Sequence, residues 1–366
     1  MENNLVKQIH SFGQSIWLDF IDRKLMQSGE LKSLIEVDGI RGITSNPAIF
    51  EKAISSSSDY DAQIHELAKD HSNNEDIFFN LAIKDIQEAT DFFKPVYEEK
   101  EVGSDGYVSL EVSPFLARET EKTIAQALDL WKKVDRKNVM IKIPGTAEGL
   151  KAITETIAEG LNINVTLLFG LKRYEEVAEA YITGLEKRHA EGKSIEHISS
   201  VASFFLSRID VMIDPLLEEK GHSELRGEVA IASAKMAYQI YKRVFSSNRF
   251  KRLEEYGAKP QRVLWASTSS KDPKFSDTKY VEALIGPHTV NTIPMETLVA
   301  FRDHGKPANR LEMDIHTSES ILAKLKELNI NLDEITQKLE DEGIEKFNKP
   351  FEKLLNAIET TKNKIG

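Results

Sequence analysis

The chain has 366 residues with 48 lysines and arginines against 59 aspartates and glutamates, a net charge of −11 at pH 7. That balance argues against nucleic acid or an anionic membrane as a partner, but it leaves room for a local basic pocket, because net charge describes the whole surface and not a cleft. With no cysteine, disulfides, thiolate metal sites and cysteine nucleophiles are excluded together, and a reducing compartment is compatible with the sequence.

The opening segment MENNLVKQIHSFGQSIWLDF has no basic stretch followed by an apolar one, so it does not read as a secretory signal. No apolar run approaches the ~20 residues that span a bilayer. The expectation is a cytoplasmic protein. Short apolar or alternating runs then predict strands at 15–20 (SIWLDF), 39–46 (GIRGITSN), 107–113 (YVSLEVS) and 139–145 (VMIKIPG). Four more follow at 163–169 (INVTLLF), 200–205 (SVASFF), 262–267 (RVLWAS) and 289–294 (TVNTIP). The segments between them have helical period. The clearest is 171–190, where Tyr174, Val177, Ala178, Tyr181, Ile182 and Leu185 form one apolar stripe. Ser113 and Pro114 read as the N-cap and first residue of another helix, with an apolar face through Leu116, Ile124, Leu128 and Trp131.

Strands alternating with helices imply a parallel sheet with crossover helices, and eight such units imply a closed (β/α)8 TIM barrel of ~250 residues. A doubly wound open sheet is the structural rival. The surplus residues lie in helical insertions at about 51–100 and 215–258 and in a helical C-terminal tail from about 317 to 366. No linker-like stretch or internal repeat divides the chain, so the expectation is a single α/β domain over residues 1–366.

Successive side chains on a strand face opposite sides, and in a barrel one side looks inward. One parity is apolar: Leu18, Leu110, Val112, Ile141, Ile143, Val165, Leu167 and Phe204. The other carries Asp19, Asn46, Glu111, Lys142, Asn164, Thr166 and Ser203, all toward the C-terminal halves of their strands. That is the end where (β/α)8 enzymes keep their active sites. So many polar groups buried without partners would cost several kcal/mol each. A single one of them is as readily a satisfied core group, and Lys142 as an ion-pair partner of Glu111 without chemistry is the plain alternative.

A lysine amine in a desolvated pocket attacks a ketone or aldehyde to form a Schiff base, an electron sink that lets a neighbouring C–C bond break. The chemistry needs carboxylates for the proton transfers, and Glu111 and Asp19 are the candidates. Asn46, Asn164, Thr166 and Ser203 are neutral groups suited to holding a hydroxyketone. A metal mechanism fits less well, since the nine histidines show no HxH or HExxH spacing. Dinucleotide, P-loop and nucleophile-elbow motifs are absent as well.

The blocks TSNPAIF, SLEVSP, IKIPGT, NINVTLLF and SFFLSRID closely resemble, in order and approximate spacing over about residues 15–295, the signature blocks of the transaldolases. WLDFIDRKL and LWASTSSKDP look most like the longer bacterial-type subfamily. The resemblance implies transfer of a dihydroxyacetone unit from sedoheptulose 7-phosphate to glyceraldehyde 3-phosphate, a pentose-phosphate-pathway step giving erythrose 4-phosphate and fructose 6-phosphate, with no metal and no organic cofactor. It assigns Lys142 as the Schiff-base lysine, Asp19 as the acid/base of C–C cleavage, and Glu111 as the carboxylate working through a water positioned by Thr166. Asn46, Asn164 and Ser203 would hold the dihydroxyacetone hydroxyls, Phe205 would form a wall, and Arg208 would bind phosphate. Where the shorter transaldolases carry a second phosphate-binding arginine, this sequence has Ser269 and, two residues on, Lys271, which would act as a point charge instead of a bidentate fork; an ordinary loop lysine is the alternative.

The nearest rival is a fructose-6-phosphate-aldolase-like enzyme that releases free dihydroxyacetone; a catalytically silent sugar-phosphate-binding barrel is disfavoured by the presence of Lys142, Glu111 and Asp19. The tail helices, with Leu322, Leu325, Leu328, Phe351, Leu354 and Leu355, either cover the barrel or form a dimer contact, covering being the usual use of such a face. The expected partners are sugar phosphates, with the chain a monomer or homodimer.

Overall fold

Eight parallel strands pair in chain order and close on themselves: β1 (Gln14–Asp19), β2 (Gly42–Thr44), β3 (Tyr107–Glu111), β4 (Val139–Pro144), β5 (Ile163–Leu168), β6 (Ser200–Phe205), β7 (Arg262–Ala266) and β8 (Thr289–Ile293). The computed structural model describes residues 4–70, 73–99 and 104–364. His71, Ser72 and Lys100 of the first insertion and the last two residues of the tail lie outside that set. β1 closes the barrel, with Trp17 level with Thr292 of β8 and Asp19 level with Thr44 of β2. Nearly every strand residue is buried, because one side faces the interior and the other meets helices. The helix expected at 171–190 is Leu171–Ala190. Among the described residues no helix is long and apolar enough to cross a membrane.

Three expectations are corrected. The second strand is only Gly42–Thr44, because Asn46 leaves the sheet to cap the helix Pro47–Ser55, its Oδ1 accepting from the Ile49 N–H at 3.1 Å. Ser113 and Pro114 open a single 3-10 turn, Pro114–Leu116, and the helix proper is Thr120–Val134. Thr123 Oγ1 donates to the Leu116 carbonyl at 2.9 Å, which ties the turn to the helix without continuing it. The buried face of that helix is accordingly Thr123, Ala127, Leu130 and Val134, with Ile124, Leu128 and Trp131 half-buried beside it. Finally, Leu167 is not an ordinary outward residue. It sits at φ +59° where the β5–β6 register shifts, so Leu168 takes the outward place level with Phe204, an extra residue of the kind that re-aims strand ends.

The barrel interior is filled in tiers. Gly42 makes room for the Trp17 indole: a Cβ there would lie 2.7 Å from Trp17 Cδ2. Below Trp17, the N-terminal mouth is plugged by Asp105, which accepts from Ser15 Oγ at 2.6 Å, Trp17 Nε1 at 3.0 Å, Arg41 Nε at 3.1 Å and Arg262 Nη2 at 3.2 Å. Above Trp17 a chain of hydrogen bonds spans the interior, Ser203 Oγ to Asn164 Oδ1 at 2.7 Å and Asn164 Nδ2 to Ser109 Oγ at 3.0 Å. The first insertion carries the helices Pro47–Ser55, Asp61–Ala68 and Asn74–Tyr97; the second includes Val229–Phe245 and Asn248–Glu254; the tail forms Ile315–Glu327 and Leu332–Lys362. The last of these covers the C-terminal mouth. Its Phe351 packs on Phe78 at 5.3 Å and Phe115 at 5.2 Å between ring centroids, and Phe78 packs in turn on Phe50 at 5.4 Å.

Candidate active site

A cavity of about 260 Å³ opens at the C-terminal ends of the strands, lined by Asp19, Asn46, Lys142, Thr166, Ser203, Phe205, Arg208 and Lys271 among others. A larger one, about 640 Å³, lies at the opposite mouth around Ser15, Arg41, Asp105 and Arg262. Size does not decide between them. Burial alone would raise the Asp105 pKa, but Arg262, Ser15, Trp17 and Arg41 outweigh it and hold the carboxyl below its ordinary value, so that cluster is a paired structural plug. The smaller cavity holds the chemically unspent groups.

Lys142 stands level with Glu111 on β3 and Asn164 on β5. Its Nζ donates to the Ser45 carbonyl at 3.0 Å and lies 3.2 Å from Glu111 Oε2, with both side chains 5% exposed. The approach to Glu111 is an ion contact off hydrogen-bond angles, since neither carboxylate oxygen has an aligned donor among the described residues. Glu111 does not line the main cavity; it stands behind Lys142, beside a void of about 10 Å³ shared with Ser45, Asn46 and Phe351. Burial pushes its pKa up to about 7, with Lys142 opposing the rise. Thr166 Oγ1 is buried, has no hydrogen-bond partner among the described residues, and lines the main cavity. A buried orphan hydroxyl and an unaligned carboxylate on the two sides of an amine are the kind of groups that a bound water satisfies.

Asp19 sits across the cavity at the end of β1, accepting from Thr44 Oγ1 at 2.7 Å. Its side chain reaches the cavity, yet protein surrounds it; burial raises its pKa, and Lys142 and Thr44 lower it. Asn164 is placed differently from the other candidates. It is fully buried, bonded to Ser109 and Ser203, and does not line the cavity, which it reaches through Ser203.

At the other end of the cavity Arg208 projects from the first turn of the helix Ser207–Glu219, half-buried, and makes no ion pair with any described residue. Burial lowers its pKa, opposed only by Glu342. Lys271 is exposed and donates to Ser269 Oγ at 2.6 Å. Ser267 also lines the cavity, with its backbone at φ +56°, a strained geometry concentrated at functional sites. Sequence reasoning missed Thr44, Thr292, Glu296, Lys346 and Phe347, which line the same cavity. Thr44 shares the parity of Asp19's inward neighbours and was open to the alternation argument; Lys346 and Phe347 come from the last helix and had no local signal. Among the described residues no three His, Asp or Glu side chains are grouped so as to hold a metal ion.

The profile of the family described as Transaldolase/Fructose-6-phosphate aldolase matches residues 16–358. The chain belongs to this family. It is 50% identical to the transaldolase of Trichodesmium erythraeum over 378 aligned residues, covering 100% of this chain and 99% of that one. It is 48% identical to the transaldolase of Saccharopolyspora erythraea, with 97% of each chain covered. Identity to transaldolase 2 of Nostoc punctiforme is 47%, with 98% of each covered. Within the transaldolase/fructose-6-phosphate aldolase family, the relatives thus align with the helical tail as well as the barrel.

Proposed function

We propose that the chain is a transaldolase, moving a dihydroxyacetone unit from sedoheptulose 7-phosphate to glyceraldehyde 3-phosphate through a Schiff base on Lys142. The observation that carries the reading is the buried Lys142 amine, in contact with Glu111 and facing a cavity with Asp19 on its wall. Lys142 attacks the ketone of the donor. Glu111, with a pKa of about 7, can give and take a proton near neutrality, and with Thr166 it holds the water that leaves on imine formation and returns on hydrolysis. Asp19 takes the proton of the donor's C4 hydroxyl as the C–C bond breaks, and the electron pair flows into the iminium to leave an enamine. Erythrose 4-phosphate departs. The enamine carbon then attacks the aldehyde of glyceraldehyde 3-phosphate, whose oxygen recovers the proton from Asp19, and hydrolysis frees fructose 6-phosphate.

Asn46 and Ser203 hold the hydroxyls of the three-carbon unit, with Asn164 positioning Ser203; Phe205 forms a wall. Arg208 and Lys271 take the phosphate, Arg208 being half-buried without an ion-pair partner among the described residues. No step calls on a metal or organic cofactor. In this reading the chain works as one domain, as a monomer or homodimer, in the cytoplasm. The test is acceptor dependence: erythrose 4-phosphate should form from sedoheptulose 7-phosphate at a substantial rate only when glyceraldehyde 3-phosphate is supplied. Equal rates with and without it, with dihydroxyacetone accumulating, would instead assign the aldolase activity.

A further inference from the structure

We infer that the helix Leu332–Lys362 is part of the active site, with Phe347 shielding the Lys142 iminium and enamine from water and Lys346 adding a cation to the phosphate end. The inference rests on the Schiff-base reading above and goes beyond it by bringing in a segment far from the barrel in the chain. Phe347 is buried, lines the cavity, and presents its ring 5.7 Å from Lys142 Nζ, measured to the centroid. That is within the ~6 Å over which an aromatic face attracts a cation.

The helix is held on both sides of the ring. One turn before it, Gly343 lets the helix lie close on the barrel, since a Cβ there would be 3.1 Å from Leu167 Cδ2. Leu167 is the irregular residue of β5, at φ +59°. One turn after it, Phe351 is locked into the aromatic cluster with Phe78 and Phe115. Residues four apart share a helix face, so these two contacts fix where Phe347 points.

A wall at that place matters because the enamine has two fates. In transfer, its carbon forms a C–C bond with the acceptor aldehyde. In the side reaction, the same carbon takes a proton from water and becomes the iminium of dihydroxyacetone. Water then adds to that iminium, the C–N bond breaks, and free dihydroxyacetone leaves the Lys142 amine. A ring over the amine keeps water from the enamine and favours the positively charged iminium.

Lys346 lines the cavity with Arg208 and Lys271. Its Nζ lies 3.1 Å from Glu342 Oε2, and Glu342 is also the charge that acts on Arg208. Glu342, which also lies 4.0 Å from Lys338 Nζ, is thus the carboxylate facing both cavity cations, and a phosphate between them would compete with it.

The experiment compares the wild type with F347L, F347A and K346A, each checked to be folded at the assay temperature and to form a borohydride-trapped adduct on Lys142. Replacing Phe347 should raise the ratio of dihydroxyacetone released to dihydroxyacetone transferred by about tenfold, more for Ala than for Leu. K346A should raise KM for glyceraldehyde 3-phosphate by about three- to tenfold, and KM for unphosphorylated glyceraldehyde by clearly less. Folded variants that form the adduct with wild-type ratios and KM would overturn the inference. Absence of an adduct in the wild type would overturn the Schiff-base reading itself, and this inference with it.

Discussion

Replacing Asp19 by Asn separates imine formation from bond cleavage. Asp19 accepts from Thr44 Oγ1 at 2.7 Å, and Thr44 Oγ1 lies 2.6 Å from Thr292 Oγ1. An amide fits the same place: its N–H can donate to Thr44, which then donates to Thr292, so the network survives with its directions reversed. The carboxylate is lost as a proton acceptor for the C4 hydroxyl. Positioned acid–base groups contribute about 10²–10⁴ in rate, which is ~2.7–5.4 kcal/mol at 1.36 kcal/mol per decade. Stability should not fall, because burial raises the Asp19 pKa. A carboxyl with a raised folded pKa makes the protein less stable as pH rises from its unfolded value through its folded one, and the amide removes that cost. Single-turnover mixing with sedoheptulose 7-phosphate gives both readouts, the adduct by borohydride quench and cleavage by erythrose 4-phosphate. The D19N variant should form the adduct at close to the wild-type rate and cleave it at least about a hundredfold more slowly. Cleavage at the wild-type rate, or parallel loss of adduct and cleavage, would refute this division of labour.

The E111Q variant should lose the pH dependence of imine formation near the value of about 7 assigned to Glu111. In the wild type the folded state keeps a proton that the unfolded carboxyl releases near 4.5, so stability should fall as pH rises from 4.5 to about 7; denaturant titrations across that window should show the slope and E111Q should flatten it. The R208A variant should raise KM for phosphorylated substrates by about 10- to 100-fold through loss of charge-assisted hydrogen bonds, with R208K recovering only part; an unchanged KM would remove Arg208 from the phosphate site. The D105N variant, at the opposite mouth, should cost about 3–5 kcal/mol in denaturant unfolding by leaving Arg262 without a carboxylate and Arg41 with Glu99 alone, yet leave kcat and KM of the folded enzyme unchanged. Because the Asp105 pKa is depressed, its contribution to stability is present above the ordinary carboxylate range and lost as pH falls through the folded value.

The period-two rule picked out much of the cavity lining. Asp19, Lys142, Thr166 and Ser203 stand out because polar residues recur where apolar ones alternate, and the barrel gathers them at one cavity. The rule fails where the backbone stops being a regular strand. Asn46 reaches the same cavity only because it has left β2 to cap a helix, and the extra residue at Leu167 shifts the outward position by one. Nor does parity say which inward groups meet the cavity: Asn164 is inward but enclosed behind Ser203, and Glu111 is inward but stands behind Lys142. Phe347 and Lys346 were illegible for another reason. Helical periodicity identifies the apolar face of the last helix, but not what that face covers, which depends on contacts with residues far away such as Leu167 and Phe78.

The central claim is that the amine of Lys142 does covalent chemistry. Borohydride reduction of the protein with fructose 6-phosphate, followed by peptide mass mapping against a substrate-free control, addresses it most directly. A reduced dihydroxyacetone adduct on Lys142, absent from the control, is the predicted result. No adduct on the folded protein, or adducts only on other lysines, would reduce Lys142 to an ion-pair partner of Glu111 and contradict the mechanism.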